Sequence, residues 1–163
     1  MPGEYHENLE ILMEIPLFSG IPIEPFKVLA YLCQRRSFQP GEILFAEQEV
    51  DPQAYLILEG KARLLMQKNG DAILRRVGEM DFIGGFSLFC DMKRLFTLQA
   101  ESKVKCLVIT REKFQKTLTQ FPSAGNKVFE RLAWSIYEWE SNFISEHVPS
   151  CENCKRSLGV SLL

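Results

Sequence analysis

The sequence predicts a mainly β fold with flanking helices: an antiparallel β-roll of the jelly-roll (double-stranded β-helix) kind, followed by one long C-terminal helix. Between Gln39 and Thr110, short apolar runs with a period of two are separated by Gly and Pro turn signals, a pattern typical of antiparallel rolls and barrels. Helical periodicity is confined to the segments before and after this region. The length of 163 residues suits one domain with its own core.

Two amphipathic helices are expected before the roll. Asn8 is a suitable N-cap, and the apolar residues after it lie on one helical face until Pro16. A second helix is predicted from Pro25, a residue favoured in the first helical turn, to about Arg35. Its apolar residues follow the offsets of zero, three, four and seven that mark one face of a helix.

Six strands are predicted within the roll. Gly60 ends the second strand, and Asn69-Gly70 joins the third to the fourth, since this dipeptide is the strongest short hairpin signal in the chain. Short strands at this regular spacing indicate an antiparallel roll or barrel. The predicted strands cover residues 43–46, 55–58, 62–66, 73–77, 95–100 and 106–109.

Two helices are expected after the roll, and the second is the longest helical pattern in the sequence. Thr110 caps the first, and Pro122-Ser123 restarts the chain into the second, over about residues 124–147. Five of its apolar residues recur at spacings of three and four, too large an apolar stripe to remain in water. The alternative is that the first half of the stripe packs on its own roll. We expect the stripe to form a homodimer interface through Phe129, Leu132, Ile136, Trp139 and Phe143.

Composition excludes several classes of protein. A net charge of −2 lacks the clustered Lys and Arg on which nucleic-acid affinity depends, so no direct nucleic-acid partner is expected. No apolar run is long enough to span a bilayer, and the acidic N-terminus is unlike a secretory signal, so no membrane partner is expected. Cys33, Cys90 and Cys106 lie within apolar runs, which indicates reduced core thiols and a cytoplasmic protein.

No catalytic constellation is present in the sequence. The two histidines, His6 and His147, lie near opposite ends, so no triad is expected, and no Gly-rich run leads into Gly-Lys-Ser or Gly-Lys-Thr. Glu138 and Glu140 are two residues apart on a predicted helix and cannot face one site. We therefore expect that the chain is not an enzyme.

Three residues near the C-terminus are weak candidates for metal binding. His147, Cys151 and Cys154 have a spacing compatible with zinc, but a structural zinc site needs four ligands and this group offers three. A dimer could supply the missing ligands, although the interpretation that this segment binds no metal is favoured. We expect the domain to comprise residues 1–147, followed by a flexible tail over residues 148–163.

The segment from Phe82 to Arg94 carries the most specific signal. Its run Phe-Ile-Gly-Gly-Phe-Ser-Leu-Phe, with Gly60, Gly78 and the order of elements, resembles the cyclic-nucleotide-binding domain of the catabolite activator and FNR-like (Crp/Fnr) regulator family. The resemblance covers about residues 10–146. In that family a phosphate-binding cassette joins two strands of the roll. It reads approximately Phe-Gly-Glu-apolar-(Ala or Gly)-Leu, then a few variable residues, then Arg-(Ser or Thr)-Ala.

The resemblance implies a ligand site with named residues. A glycine lets the backbone approach an anion, and the short helix after it directs N–H groups at the phosphate. Gly84 matches this glycine, and Arg94 matches the arginine that neutralises the phosphate. The alternative is a plain connector with Arg94 on the surface. The expected ligand-binding residues are Gly84, Gly85, Phe86, Ser87, Leu88, Arg94 and Leu95.

Three positions depart from the pattern of the family. Gly85 stands where the family places its ribose-binding glutamate, so the 2′-hydroxyl would lack an acceptor. An unpaired buried hydroxyl costs about 1–3 kcal/mol, which weakens binding roughly 5- to 150-fold. Leu95 replaces the Ser or Thr that assists the phosphate, and Gln48 occupies a turn position that is often glycine. Weak binding of cAMP and cGMP is expected, with some other phosphate-bearing small molecule as the candidate ligand.

Two classes of function follow from this reading. The first is a regulatory domain that senses a small anionic or nucleotide-like ligand in the roll and signals through a dimerising C-terminal helix. The second is a ligand-free dimeric interaction or scaffold domain. Residues 148–163 are too few for a helix-turn-helix module, so a sensor alone and the sensor part of a longer Crp/Fnr-type transcription regulator are both compatible with the sequence.

Overall fold

The computed structural model describes residues 2–66 and 72–147, in which helices flank a central roll. The helices of the described part are α1 (Pro2–Glu14), α2 (Ile23–Leu32), α3 (Arg111–Gln120) and α4 (Pro122–His147), with short 3₁₀ helices at Pro16–Phe18 and Gly85–Leu88. The strands are β1 (Gln34–Phe38), β2 (Ile43–Phe45), β3 (Gln53–Glu59), β4 (Ala62–Met66), β5 (Ala72–Val77), β6 (Phe82–Ile83), β7 (Thr97–Ala100) and β8 (Val104–Thr110). None of the helices in this described part combines the length and apolar character needed to cross a membrane.

The strands form two antiparallel sheets, with the orders β1-β8-β3-β6 and β2-β7-β4-β5. One core cluster contains buried side chains of both sheets, among them Phe45, Ile57 and Leu98. A second cluster joins the opposite face of β3 and β8 to the helices through residues such as Leu56 and Phe114. Since the middle of β3 and of β8 is covered on both faces, residues 54–58 and 106–109 are continuously apolar rather than alternating. The predicted fold class, a mainly β roll with flanking helices and a long C-terminal helix, is confirmed.

The two N-terminal boundaries differ from the prediction. Helix α1 begins at Pro2, and Asn8 is a buried residue inside it rather than its N-cap. The Asn8 side chain donates to the Ala30 carbonyl and accepts a hydrogen bond from Arg35 Nε at 2.9 Å. Helix α2 ends at Leu32, and Arg35 belongs to a strand, β1, because pairing with β8 overrides local helical periodicity.

The hairpin of the second sheet is confirmed apart from its turn. Strands β4 and β5 pair antiparallel as predicted, whereas Asn69-Gly70 lies outside the described residues. The register shifts between Leu64 and Leu65, and Leu65 is buried. Leu64 pairs with Arg75 and Leu65 with Ile73, so the extra residue of this β-bulge is Leu74 in β5 rather than a residue of β4.

The turn at Gly60 leaves no space for a side chain. Its φ is +90°, and a Cβ atom there would lie 2.1 Å from the Lys103 carbonyl oxygen. We expect Gly60→Ala to lower the free energy of unfolding by about 2–5 kcal/mol, since backbone strain and overcrowding add. Urea unfolding followed by circular dichroism measures the loss.

Gly41→Ala is the matched control for this prediction. Gly41 has a nearly equal φ of +89°, but a Cβ atom there would have nothing within 4 Å. It should therefore cost only the left-handed backbone penalty of about 1–2 kcal/mol. Equal losses in the two variants would contradict the role assigned to the Lys103 contact.

Candidate functional site

A cavity of about 640 Å³ lies between the roll and α4. One wall contains the segment that resembles the phosphate-binding cassette, including Gly84, Gly85 and Phe86. Leu132, Ser135 and Trp139 of α4 line it from the C-terminal side of the chain. The structure therefore brings three of the seven expected ligand-binding residues and part of the long helix to one concave site.

Gly84 and Arg94 are in direct contact although ten positions separate them. Gly84 has a left-handed conformation (φ 84°, ψ 19°) and precedes the short helix Gly85–Leu88. A Cβ atom at Gly84 would lie 2.2 Å from Arg94 Nη1 and 3.0 Å from Arg94 Cζ. Both the backbone conformation and the guanidinium behind it therefore require glycine here.

Arg94 is buried, with 5% of the residue's surface exposed. Its Nη2 donates to Asp51 Oδ2 at 2.8 Å and to the Gln53 carbonyl oxygen, and its guanidinium lies 4.1 Å from the centre of the Phe45 ring. The Nε atom is buried and has no hydrogen-bond partner within the described part of the chain. Arg94 is therefore not the surface residue that the alternative interpretation expected.

Asp51 neutralises this arginine and organises its surroundings. The Tyr55 hydroxyl donates to Asp51 Oδ2 at 3.1 Å. Burial, together with the adjacent Asp51 carboxylate, raises the pKa of Tyr55 far above its usual range, so the hydroxyl remains a donor. An incoming anion would meet an arginine whose charge is already balanced. Sequence reasoning missed Asp51 because it lies 43 residues from Arg94 and belongs to no motif.

The space beside Gly85 is occupied by other side chains. A Cβ atom at Gly85 would lie 2.9 Å from Phe82 Cε1 and 3.4 Å from Leu17 Cδ2. This position therefore lacks both the carboxylate that holds a ribose in the family pattern and the room for one. The sequence shows the missing glutamate but not the ring that occupies its place.

The remaining expected ligand residues have different surroundings. Ser87 and Leu88 are buried, and the Ser87 carbonyl accepts a hydrogen bond from Arg111 Nε at 2.6 Å. Phe86 and Leu95 are exposed, and Leu95 is not among the described residues that line the cavity. Arg111 also donates to the Cys90 carbonyl, so the end of the cassette is held against the beginning of α3.

The apolar stripe of α4 is divided between two faces. Leu132 and Trp139 line the cavity, whereas Phe129 is 70% exposed. A separate groove of about 480 Å³ on α4 is lined by Phe129, Ala133, Trp134 and Tyr137, with Glu130 beside them. The exposed apolar residues of α4 therefore include two aromatic side chains outside the predicted stripe.

The cysteines do not form a second chemical site within the described residues. Burial raises the pKa of both Cys33 and Cys106 to about 12, so both remain protonated thiols of low reactivity. Cys90 is exposed, so its prediction as a core thiol is wrong. Cys151, Cys154 and the His147 side chain lie outside the described residues, and the described part contains no cluster of three metal-binding side chains.

Gln48 has a positive φ of 67°. This strained conformation agrees with the observation that the position is often glycine in the family. Its N–H group donates to the Arg94 carbonyl at 2.8 Å, so the turn contacts the backbone of the arginine. The turn at Gln48 is therefore part of the surroundings of Arg94.

The fold and the site define a β-roll domain with a cassette-like turn, a buried arginine behind it and a helix beside the cavity. The sequence from residue 35 to residue 121 matches the family model described as cyclic nucleotide-binding domain. The chain belongs to the cyclic nucleotide-binding domain family.

The relatives that this sequence matches include a protein kinase regulatory subunit and a potassium channel, and both are much longer than the matched region. The cAMP-dependent protein kinase regulatory subunit of Schizosaccharomyces pombe is 26% identical over 108 residues, which are 66% of this chain and 26% of that protein. A potassium channel of Oryza sativa subsp. indica is 21% identical over 135 residues, 82% of this chain and 14% of the channel. The chain thus spans about a quarter or less of these two relatives.

Solved structures show the same fold. The N-terminal domain of a transcriptional regulator from Streptomyces coelicolor superimposes with a TM-score of 0.74 at 24% identity, covering 82% of this chain and 94% of that one. A cyclic nucleotide-binding-like protein from Brucella abortus superimposes with a TM-score of 0.65 at 26% identity, covering 69% and 98%. The roll and its helices are therefore shared with these proteins.

Proposed function

We propose that this chain is a regulatory ligand-sensing domain that binds a small molecule in the cavity and signals through α4. The observation that carries the proposal is the composition of the cavity wall, which joins the cassette at Gly84 and Gly85 to Leu132 and Trp139 of α4. A ligand that contacts both elements and binds one of their relative arrangements more tightly than another shifts the equilibrium between these arrangements. Such a shift is what a signal physically requires.

We do not assign a catalytic role to the domain. Among the described residues that line the cavity, Asp81 is the carboxylate, and its Oδ1 is paired with Arg75 Nη2 at 2.7 Å. A general base needs a carboxylate or imidazole that is available to the substrate. The geometry therefore favours binding over chemistry.

An anionic group of a ligand would be placed beside Gly84. The backbone can be approached closely there, and the Arg94 guanidinium lies directly behind the glycine. The buried Nε of Arg94 has an unused hydrogen, which supports a polar partner at this place. Asp51 weakens this subsite, because its carboxylate already balances the charge of the arginine.

cAMP and cGMP should bind with dissociation constants above about 10 μM, since Gly85 offers the ribose no acceptor. The double variant Phe82→Leu/Gly85→Glu restores the carboxylate and removes the ring that would crowd it. We expect it to bind cAMP roughly 5- to 150-fold more tightly than the unaltered protein. Isothermal calorimetry against cAMP, cGMP and inorganic phosphate measures the change.

Phe82→Leu alone is the control, because it creates space without supplying an acceptor. It should leave the cAMP affinity within about threefold of the original value. Submicromolar affinity of the unaltered protein for either nucleotide would overturn the role assigned to Gly85.

A second candidate function is a dimeric interaction domain in which the roll binds no ligand. The exposed aromatic side chains of α4 favour it, since Phe129, Trp134 and Tyr137 are all more than half exposed. A thermal-shift screen separates the two functions. A sensing domain is stabilised by its ligand, by an amount that rises with the logarithm of ligand concentration above the dissociation constant, whereas an interaction domain responds only to its protein partner.

A further inference from the structure

The cavity is lined mainly by apolar side chains, and four of them are aromatic. The rings belong to different parts of the fold: Phe82 in β6, Phe86 in the short helix, Phe96 just before β7 and Trp139 in α4. Trp139 is 61% exposed and its ring is stacked on Phe143, with 5.5 Å between the ring centres. Rings that converge from separate elements provide flat apolar surfaces against which a planar ligand can pack.

The charges that line the cavity cancel each other. Arg75 and Asp81 form an ion pair at 2.7 Å, and Asp81 Oδ2 also accepts the Gly78 N–H at 2.8 Å. Arg94 is not among the described lining residues, and its charge is balanced by Asp51. A charged ligand would therefore lose hydration without gaining an uncompensated opposite charge.

Among the described residues, the polar side chains that line the same cavity are Arg75, Asp81 and Ser135, and the first two are paired with each other. Ser135 offers a hydroxyl on the α4 side, and its Oγ already donates to the Arg131 carbonyl at 3.0 Å. At Gly85 the neighbouring group is the Phe82 ring rather than a carboxylate. A ribose placed here would leave several hydroxyls without partners, each at a cost of about 1–3 kcal/mol.

We propose that the cavity takes a planar, mainly apolar aromatic molecule without net charge, of the size of two or three fused rings. This proposal rests on the proposed function, because it places the ligand in the same cavity. It differs in the charge of the ligand, since the molecule proposed here is neutral. The volume of about 640 Å³ lies within the range of small-molecule sites, which are mostly apolar with a few polar groups.

The test uses the full chain and the neutral fluorescent probe N-phenyl-1-naphthylamine. We expect saturable binding with an increase in probe emission as the probe leaves water. The variant Ser135→Phe fills the cavity from an exposed helix position and should weaken probe binding at least about tenfold. The matched control is Ser141→Phe, on the same helix but in a different groove, which should change the affinity by less than about twofold.

Two competitors of similar shape, one neutral and one anionic, test whether the cavity prefers a ligand without charge. Neutral naphthalene-1-sulfonamide should displace the probe, and naphthalene-1-sulfonate should do so at least about tenfold less well. No saturable probe binding, equal losses in Ser135→Phe and Ser141→Phe, or stronger displacement by the sulfonate would each overturn the proposal.

These outcomes are separable from failure of the proposed function. If the probe does not bind but a nucleotide or phosphate binds in calorimetry, the aromatic ligand is wrong and ligand sensing stands. If neither the probe nor any anion binds, both are overturned. Circular dichroism of each variant confirms that a loss of binding is not a loss of fold.

Discussion

Asp51→Ala is expected to lower the free energy of unfolding by about 3–5 kcal/mol, because it leaves Arg94 charged, buried and unpaired. The two side chains are 6% and 7% exposed and their nearest atoms are 2.8 Å apart. A loss of this size is a large part of the roughly 5–15 kcal/mol that stabilises a typical domain. Urea unfolding is the suitable measurement, since guanidinium salts would screen the charges.

Glu59→Ala is the control that shows whether the loss of stability depends on the burial of the ion pair. Glu59 pairs with Lys105 at 2.8 Å, a similar distance, but the two side chains are 60% and 46% exposed. Removal of this exposed partner should cost less than about 1 kcal/mol. The double variant Asp51→Leu/Arg94→Met replaces both charges by apolar groups and should recover much of the loss. A change below about 1 kcal/mol for Asp51→Ala would show that the folded protein does not contain a buried ion pair here.

The elements that local chemistry determines could be predicted from the sequence. Strand alternation located β4 and β5, and the predicted cap Thr110 accepts a hydrogen bond from the Lys113 N–H at 3.4 Å. Gly60 follows the end of β3 with a φ of +90°, as the turn signal in the sequence indicated. Spacing and turn chemistry are sufficient at such positions, since they depend on neighbouring residues.

Features that depend on distant contacts could not be predicted in this way. Strand β1 is exposed at four of its five residues and has no apolar alternation, so its pairing with β8 was not visible in the sequence. The partner of Arg94 and the crowding of Gly85 by Phe82 also require the folded geometry. For the site, the resemblance to the family assigned Gly84 and Arg94 to one phosphate site but indicated neither the balanced charge of Arg94 nor the aromatic cavity.

The direction in which the α4 stripe faces is a further example. Spacings of three and four place residues on one side of a helix, but they do not show which part of the same chain or of a partner covers that side. In the structure Leu132 and Trp139 face the cavity, while Phe129 lies on the groove with Trp134. The homodimer stays a prediction, and its interface is expected to include side chains that the stripe omits.

We expect the protein to be a dimer through the outer face of α4. The helix has 26 residues, about 39 Å, and exposes Phe129, Trp134 and Tyr137 by 70%, 53% and 56%. Trp134 and Tyr137 already contact each other edge to face, with ring centres 5.4 Å apart, so they form one rigid apolar surface. Burial of large side chains contributes about 1.5–3 kcal/mol each before association costs, which favours a second copy of this helix as the cover.

The variant Trp134→Glu/Tyr137→Glu should convert the dimer to a folded monomer in analytical ultracentrifugation at about 100 μM, because two carboxylates would be buried in each half of the interface.

Ile136→Glu/Phe143→Glu tests the predicted stripe in the same assay. Since both of these residues are already half-buried within one chain, it should cost stability as well as association. Asn142→Glu, an exposed change on a different side of α4 from Trp134 and Tyr137, should leave the dimer intact. An unaltered protein that sediments as a monomer at this concentration contradicts the dimer, and signalling would then have to pass through the contact between α4 and its own roll.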